Sequence, residues 1–141
     1  MKAERARLQR LLRLEQVRAI AKQAAAQEAA AAESTLAQLE ALAERTRRLA
    51  ADYAARNEAR DGAALQQLGR FAGGLQAIYA NTASDAVQAR RIADDKMAEL
   101  AIAERRRSSV EEHANKKARR IASRGETPSL AARRGFGTGL E

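Results

Sequence analysis

The residues that could perform catalysis or bind a metal ion are few in this sequence, and they are not grouped. His113 is its only histidine, and it has no cysteine. The acidic residues are scattered along the chain and show no spacing typical of a metal site. We therefore expect no metal ion and no cofactor, and we interpret His113 as a solvated residue on a helix surface.

Motifs for nucleotide binding and nucleophilic catalysis are also missing. The glycines within residues 69–74 lack the preceding strand that a phosphate-binding loop requires. Ser108, Ser109 and Thr127 have no neighbouring base that could activate a hydroxyl. We therefore expect a protein that is not an enzyme and that acts through the surfaces it presents to partners.

The composition predicts long helices. Thirty-six of the 141 residues are alanine and only one is proline. Alanine is the strongest helix former, and a mixture of Ala, Glu, Lys, Leu and Arg at helical spacing is typical of coiled coils. No run of about 18 apolar residues is present, so we expect no membrane-spanning helix. The absence of cysteine fits a cytoplasmic location.

Apolar residues at steps of three and four predict two long helices in an antiparallel coiled-coil hairpin, an all-α fold. We predict one helix over 3–59, a turn or short helix over 60–74 that begins at Asp61-Gly62, and a second helix over 75–123. The first apolar seam comprises Leu11, Leu14, Val17, Ala21, Ala25, Ala29, Ala32, Leu36, Leu39, Ala43, Thr46, Leu49 and Tyr53. The second comprises Leu65, Leu68, Ala72, Leu75, Ile78 or Tyr79, Thr82, Ala86, Ala89, Ala93, Met97, Leu100, Arg107, Val110, Ala114, Lys117 and Ile121.

Residues 1–123 thus form one helical hairpin domain, and residues 124–141 are predicted to be a flexible, basic and Gly-rich tail. The net charge of +8 is unevenly placed. Residues 1–20 carry six basic and two acidic side chains, a net charge of +4. Residues 21–103 carry ten basic and eleven acidic side chains, a net charge of −1. Residues 104–134 carry ten basic and four acidic side chains, a net charge of +6, and Glu141 adds −1. A hairpin would bring the two positive segments together.

Large apolar residues cluster near the predicted turn, and the sequence leaves their orientation open. Either all of them pack in the core, against Leu49 and Tyr53, or one stripe faces outward as a docking surface. That stripe would comprise Phe71, Leu75, Ile78 and Thr82. Both Ala72–Leu75–Tyr79 and Phe71–Leu75–Ile78 are possible inward faces.

Three segments carry a resemblance to a known family. They are Arg10-Leu11-Leu12-Arg13-Leu14-Glu15 with its Ala/Gln-rich continuation, Phe71-Ala72-Gly73-Gly74-Leu75, and the last helix with Arg105-Arg106-Arg107, Val110-Glu111-Glu112 and Lys116-Lys117. With a helical hairpin that is basic at its joined ends, residues 1 to about 123 resemble the FliJ family of flagellar type III export proteins and its YscO-like injectisome counterparts.

The resemblance implies a non-enzymatic stalk that inserts into the pore of a hexameric export ATPase and links it to the membrane export gate. It also implies contact with export chaperones and a cytoplasmic, membrane-peripheral location. The stalk arms would be residues 8–21 and 103–121. The implied export-gate residues are Phe71, Leu75, Ile78, Thr82, Gln38 and Leu42. The implied contacts with the ATPase ring are Arg10, Arg13, Arg105, Arg106, Arg107, Lys116 and Lys117.

The chain departs from the family at one point. Members often carry aromatic residues one and two turns after Leu42, and here Arg45 and Leu49 stand there. Two alternatives remain beside the stalk. A basic coiled coil could associate with nucleic acid, although no aromatic residue is interleaved with the basic runs for base stacking, so we expect no nucleic-acid partner. The chain could also be a generic dimerising scaffold.

Overall fold

The computed structural model describes residues 2–56 and 61–134, with side chains described as far as Gly125. Two α-helices make up this part of the chain: α1 (Lys2–Ala55) and α2 (Gly62–Arg134). No strand occurs among the described residues. Residues of α1 and α2 distant in sequence contact each other in antiparallel order, as Glu28 with Lys96 and Glu40 with Arg90 show. The predicted all-α, two-helix antiparallel hairpin is confirmed.

The chain divides into two compact units. The hairpin unit comprises residues 26–99, and the terminal unit comprises residues 1–25 together with 100–141. Each unit therefore contains one stretch of α1 and one stretch of α2, paired with each other. The two units differ in the chemistry of the surface that the helices share.

Burial follows a strict seven-residue repeat. Writing each heptad as abcdefg, Leu36 and Ala43 are a positions of α1, and Ala72 and Ala93 are a positions of α2. Every described residue that is buried then occupies an a or a d position, as expected for a left-handed coiled coil. The buried residues are Ala29, Leu36, Ala43, Thr46, Ala50, Ala72, Thr82, Ala89, Ala93 and Ala114.

Small side chains dominate this seam. In the hairpin unit, Leu36 packs with Ala89 and Ala93, and Ala32 and Leu39 cover the cluster. Ala93 is 0% exposed. The Thr46 hydroxyl is satisfied inside its own helix, since Oγ1 donates a hydrogen bond of 2.8 Å to the carbonyl oxygen of Leu42. Small residues at a and d let two helices approach closely, while each buries little area.

Asp61 starts the second helix. Its Oδ1 accepts a hydrogen bond of 2.7 Å from the amide of Ala64, and its carbonyl accepts one of 3.1 Å from the amide of Leu65. This is the pattern of an N-cap residue, which satisfies amides that lack an intrahelical acceptor. At the other side of the connection, the Arg56 amide donates to the Tyr53 carbonyl at 3.3 Å. The structure thus places the predicted Asp61-Gly62 pair at the start of α2, with Asp61 as the N-cap and Gly62 as the first helical residue.

Two predicted boundaries were wrong. The predicted boundary between residues 74 and 75 is absent, because α2 runs without interruption from Gly62 through these residues. Gly69, Gly73 and Gly74 lie on exposed positions where an added Cβ would meet nothing within 4 Å, so their helix cost of about 1 kcal/mol each is offset by packing of the opposite face.

The second difference from the predicted boundaries lies at the end of the last helix. The backbone of α2 continues past the predicted end at 123, through Pro128, to Arg134. Residues 129–134 (Ser-Leu-Ala-Ala-Arg-Arg) consist mostly of strong helix formers, which outweigh the single proline. The predicted flexible tail of residues 124–141 is therefore helical in its first part, and residues 135–141 lie outside the described residues. The predicted end of α1 at 59 also falls outside them, among residues 57–60.

The predicted seam was wrong in parts of both helices. In α1, Leu14, Val17, Ala21 and Leu49 are exposed, and Glu15, Arg18, Lys22 and Ala50 take the inward positions. In α2, Leu65 and Met97 are exposed, and Lys96 lies at the seam in place of Met97. Of the predicted alternatives Ile78 or Tyr79, the structure has Tyr79 at the seam. The physical reason is that two paired helices must keep one seven-residue register along their common seam, even where that register places charged residues inward.

The alanine seam generates a stability prediction. Ala93→Leu inserts a large side chain where no space exists, and overpacking of this kind costs about 1–3 kcal/mol. Ala98→Leu, five residues later on the exposed face of the same helix, is the matched control and should change stability by less than about 0.5 kcal/mol. Thermal unfolding followed by circular dichroism measures both. Equal melting temperatures for the two variants would contradict the pairing of the helices through Ala93.

Candidate interaction surfaces

The seam of the hairpin unit has two flanks, and the ion pairs identify them. On one flank, Arg90 Nη2 lies 2.8 Å from Glu40 Oε1. Both residues are e positions, so e faces e across the antiparallel pair. The hydrogen bond that Arg90 donates to Glu40, together with the negative charge of Glu40, raises the pKa of Arg90 above its ordinary value. Because both side chains are at least half exposed, this pair contributes little to stability and mainly fixes the register.

Lys96 identifies the other flank. It occupies a d position, and its Nζ reaches Glu28 on α1 at 3.2 Å and Glu99 on α2 at 3.4 Å. Both glutamates are g positions, so the g positions of the two helices lie along the same flank. The hydrogen bond with Glu28 is the largest cause that raises the pKa of Lys96, followed by the charges of Glu28 and Glu99.

The g flank of the hairpin unit presents large apolar side chains to solvent. We call these five residues the apolar stripe, and all of them are g positions. They are Leu42 (45% exposed), Leu49 (42%), Phe71 (51%), Ile78 (52%) and Ile92 (55%). Single exposed apolar residues need no explanation, whereas several in register along one flank mark a surface suited to binding.

Phe71 is held in place although half of it is exposed. Its ring lies edge-on to that of Tyr53, with ring centres 4.7 Å apart and planes at 72°. The Arg56 guanidinium covers Tyr53, with Cζ 4.3 Å from the ring centre. Edge-to-face aromatic pairs and cation–π contacts each contribute about 0.5–1.5 kcal/mol. The end of the apolar stripe nearest the turn is therefore preorganised.

The structure separates the six predicted export-gate residues. Phe71, Ile78 and Leu42 lie on the apolar stripe, and Gln38 is exposed one helical turn before Leu42. Thr82 is 8% exposed and Leu75 is partly buried, so both belong to the seam between the helices. Their assignment to an outward stripe was wrong, because they occupy d positions. The sequence left two possible inward faces open, and in the structure Ala72, Leu75 and Tyr79 are the residues that face inward.

The seam of the terminal unit contains several charged residues. Glu15, Arg18 and Lys22 of α1 and Arg107 of α2 are partly buried at a and d positions. Lys22 Nζ lies 4.0 Å from Glu104. The Nε atoms of Arg18 and Arg107 are buried without a hydrogen-bond partner among the described residues. Part of each of these two charged guanidinium groups is therefore buried at the seam.

An ion pair closes the seam near the chain ends. Arg124 Nη1 of α2 contacts Glu4 Oε1 of α1. Glu4 lies in the first turn of α1, where its negative charge also interacts favourably with the positive end of the helix dipole. The predicted meeting of the two positive segments is thus present within the terminal unit, since the start of α1 lies against the end region of α2.

A groove of about 460 Å³ runs between α1 and α2 in the terminal unit. We call it the cationic groove. Leu11 and Leu14 form an apolar floor, and His113 lies at its side. Its remaining lining residues are basic: Arg7, Arg10, Lys116, Lys117 and Arg120. None of these five forms an ion pair with a carboxylate in the described part of the chain.

The structure brings three of the seven predicted ring contacts together in this groove: Arg10, Lys116 and Lys117. Arg13, Arg105 and Arg106 are exposed outside it. Arg107 differs, because it is partly buried in the seam. The sequence analysis did not single out Arg7 and Arg120 as contacts. Both are g positions of the seven-residue repeat, and that register was the signal that could have found them.

Metal-binding groups and membrane-spanning stretches are absent from the described residues. No group of three or more His, Asp or Glu side chains there could hold a metal ion. Neither described helix has a stretch sufficiently long and apolar to cross a bilayer. Comparisons with protein-family models, with curated proteins and with solved structures give no match. The candidate sites are therefore the apolar stripe and the cationic surface of the terminal unit.

Thiol labelling tests which side chains face outward. The chain has no cysteine, so each single variant carries one thiol. Ile78→Cys, at a position 52% exposed, should react with a maleimide at least about tenfold faster than Thr82→Cys, at a position 8% exposed, because access controls thiol reactivity. Both rates are normalised to those in denaturant. Faster reaction at position 82 would overturn the assignment of the apolar stripe.

Proposed function

We propose that the chain is a non-enzymatic coiled-coil stalk component of the flagellar type III protein export ATPase complex. In this role it couples the hexameric ATPase ring to the export gate in the membrane. The observation that carries the proposal is that one chain presents two surfaces of different chemistry, each confined to its own unit. A coupling element needs two such surfaces, and the resemblance to the FliJ family supplies the two partners.

The apolar stripe is the proposed export-gate contact. Phe71 and Ile78 supply the largest exposed apolar groups of α2 on that flank, and Leu42 and Leu49 continue it on α1. Rigid aromatic and aliphatic anchors of this kind contribute most of the binding energy in protein interfaces. Leu49 stands where many family members have an aromatic residue, and its exposure allows it to take part in the contact.

The basic residues of the terminal unit are the proposed contact with the ATPase ring. Arg10, Arg13, Arg105, Arg106 and Lys116 are exposed and have no carboxylate partner among the described residues. Unpaired surface charges steer association and set its salt dependence more than they set affinity. Such a surface suits a ring pore lined by acidic loops, in which a stalk must enter without becoming locked.

The setting follows from the same proposal. The protein works in the cytoplasm, at the cytoplasmic face of the inner membrane, where it meets the ring, the gate and export chaperones. It requires no cofactor and no small-molecule substrate. Its alanine seam buries little area per residue, so partner binding is expected to add to the stability of the hairpin.

A double dissociation tests the proposal. Phe71→Ala with Ile78→Ala should weaken binding to the export gate about tenfold or more and leave stimulation of the export ATPase unchanged. Arg105→Glu with Arg106→Glu should do the reverse, because charge reversal repels acidic pore loops. All four positions are exposed, so circular dichroism should show unchanged helicity.

The controls match the two surfaces. Val87→Ala removes an equally exposed apolar group away from the stripe, and Arg45→Glu with Arg91→Glu reverses two exposed charges in the hairpin unit. Neither control should affect either assay. If the purified chain neither binds the gate protein nor stimulates the ATPase, the proposed function is wrong. If each surface variant impairs both assays equally, the division of labour between the surfaces is wrong.

A further inference from the structure

The cationic groove combines two features that a pore contact alone does not need, namely concavity and an apolar floor. Leu11 is partly buried and Leu14 is 39% exposed, so an apolar surface stays open between two rows of positive charge. A volume of about 460 Å³ lies in the range of built binding sites and accommodates apolar side chains. A purely electrostatic contact would need only a convex surface with positive charges.

The cations are spaced by helical turns. Arg7 and Arg10 lie three residues apart on α1, and Lys116 and Arg120 lie four residues apart on α2. Each row therefore offers roughly one positive charge per 5.4 Å along the groove. Carboxylates three or four residues apart on a helix have the same period, and the apolar residues between them would face Leu11 and Leu14.

We propose that the cationic groove binds an acidic amphipathic helix of a partner protein, which packs as a third helix along α1 and α2. Glutamate or aspartate on the flanks of that helix pairs with the two rows of cations. Its apolar stripe covers Leu11 and Leu14, the helix-in-groove mode of recognition. The inference refines the cationic end of the proposed stalk, and it rests on the proposed function only for the identity of the protein that supplies the helix.

Charge complementarity favours this occupant over the others. A second copy of the chain carries the same net charge of +8 and would be repelled. Proteins that bind single-stranded nucleic acid stack its bases on aromatic side chains, and no Phe, Tyr or Trp lines the groove. A bilayer surface requires large apolar or aromatic residues that insert, and the two leucines lie at the floor between cationic side chains.

Binding to a designed peptide tests the inference with the purified full chain alone. The probe is a fluorescein-labelled helical peptide of about 18 residues with leucine at a and d positions and glutamate at e and g positions. One control peptide replaces every glutamate by glutamine, and another replaces every leucine by serine. We expect binding of the first peptide, measured by fluorescence anisotropy, to exceed that of either control about tenfold or more.

Matched variants locate the peptide on the protein. Arg7→Gln with Arg120→Gln removes two charges from the groove, and Arg5→Gln with Arg119→Gln removes two exposed charges outside it on the same helices. Leu14→Ser alters the floor, and Leu12→Ser alters an exposed leucine outside it. The groove variants should each weaken peptide binding about tenfold, and the controls should stay within about twofold of the original chain.

The outcomes are distinct. Equal losses in groove variants and controls would overturn the inference, since binding would then follow net charge alone. So would equal binding of the serine-substituted peptide, or tighter binding of a thymidine oligonucleotide that the groove variants abolish. Peptide binding without stimulation of the export ATPase would uphold the groove and contradict the proposed function. Stimulation without peptide binding would contradict only the groove.

Discussion

Close approach of two helices over small side chains is the constraint on which the rest of the structure depends. At a and d positions of the hairpin unit, alanine and threonine fill most of the buried sites, and Ala93 is 0% exposed. Each alanine contributes little apolar area, so the pairing gains from a long unbroken register more than from any single contact. That register repeats every seven residues without insertion from Glu4 to Tyr53 on α1 and from Leu68 to Arg124 on α2. The register places Ala72 and Thr82 at a and d positions and Phe71 and Ile78 at g positions, so these two large residues flank the seam while Ala72 and Thr82 fill it.

The same register gives the two units different surfaces. In the hairpin unit, small residues hold the seam and large apolar groups lie on its g flank, which leaves the apolar stripe exposed. In the terminal unit, charged residues occupy several of the a and d positions, and their charges are paired only in part. Additional cations at neighbouring positions then border Leu11 and Leu14 and form the cationic groove. The proposed contacts with an export gate and an ATPase ring both use exposed residues beside the seam.

Much of the fold could be predicted from the sequence. Helix type, helix number and the turn at Asp61-Gly62 follow from alanine content, from apolar spacing and from one Asp-Gly pair. The inward face of α1 before Ala25 could not be found by following apolar residues. Leu14 and Val17 have the spacing of an apolar helix face, whereas the heptad register places Glu15 and Arg18 inward. The uninterrupted course of α2 through three glycines and Pro128 also could not be predicted from local propensity, which packing and flanking residues override. Of the site residues, Phe71 and Ile78 were recognisable as large apolar groups. Their orientation could be predicted only from the seven-residue register that the structure shows. The same holds for the position of Arg7 and Arg120 beside Lys116.

The antiparallel pairing within the terminal unit is tested most directly by an electron-spin distance between labels on cysteines introduced at Arg10 and Asn115, two exposed positions of a chain without cysteine. Labelled chain diluted with excess unlabelled chain reports distances within one molecule. Paired helices have axes about 8–10 Å apart, so the labels should lie within about 30 Å of each other. A helix that continued without doubling back would separate these positions by more than about 100 Å at 1.5 Å per residue. A distance distribution centred there would contradict the pairing, and with it both proposed surfaces.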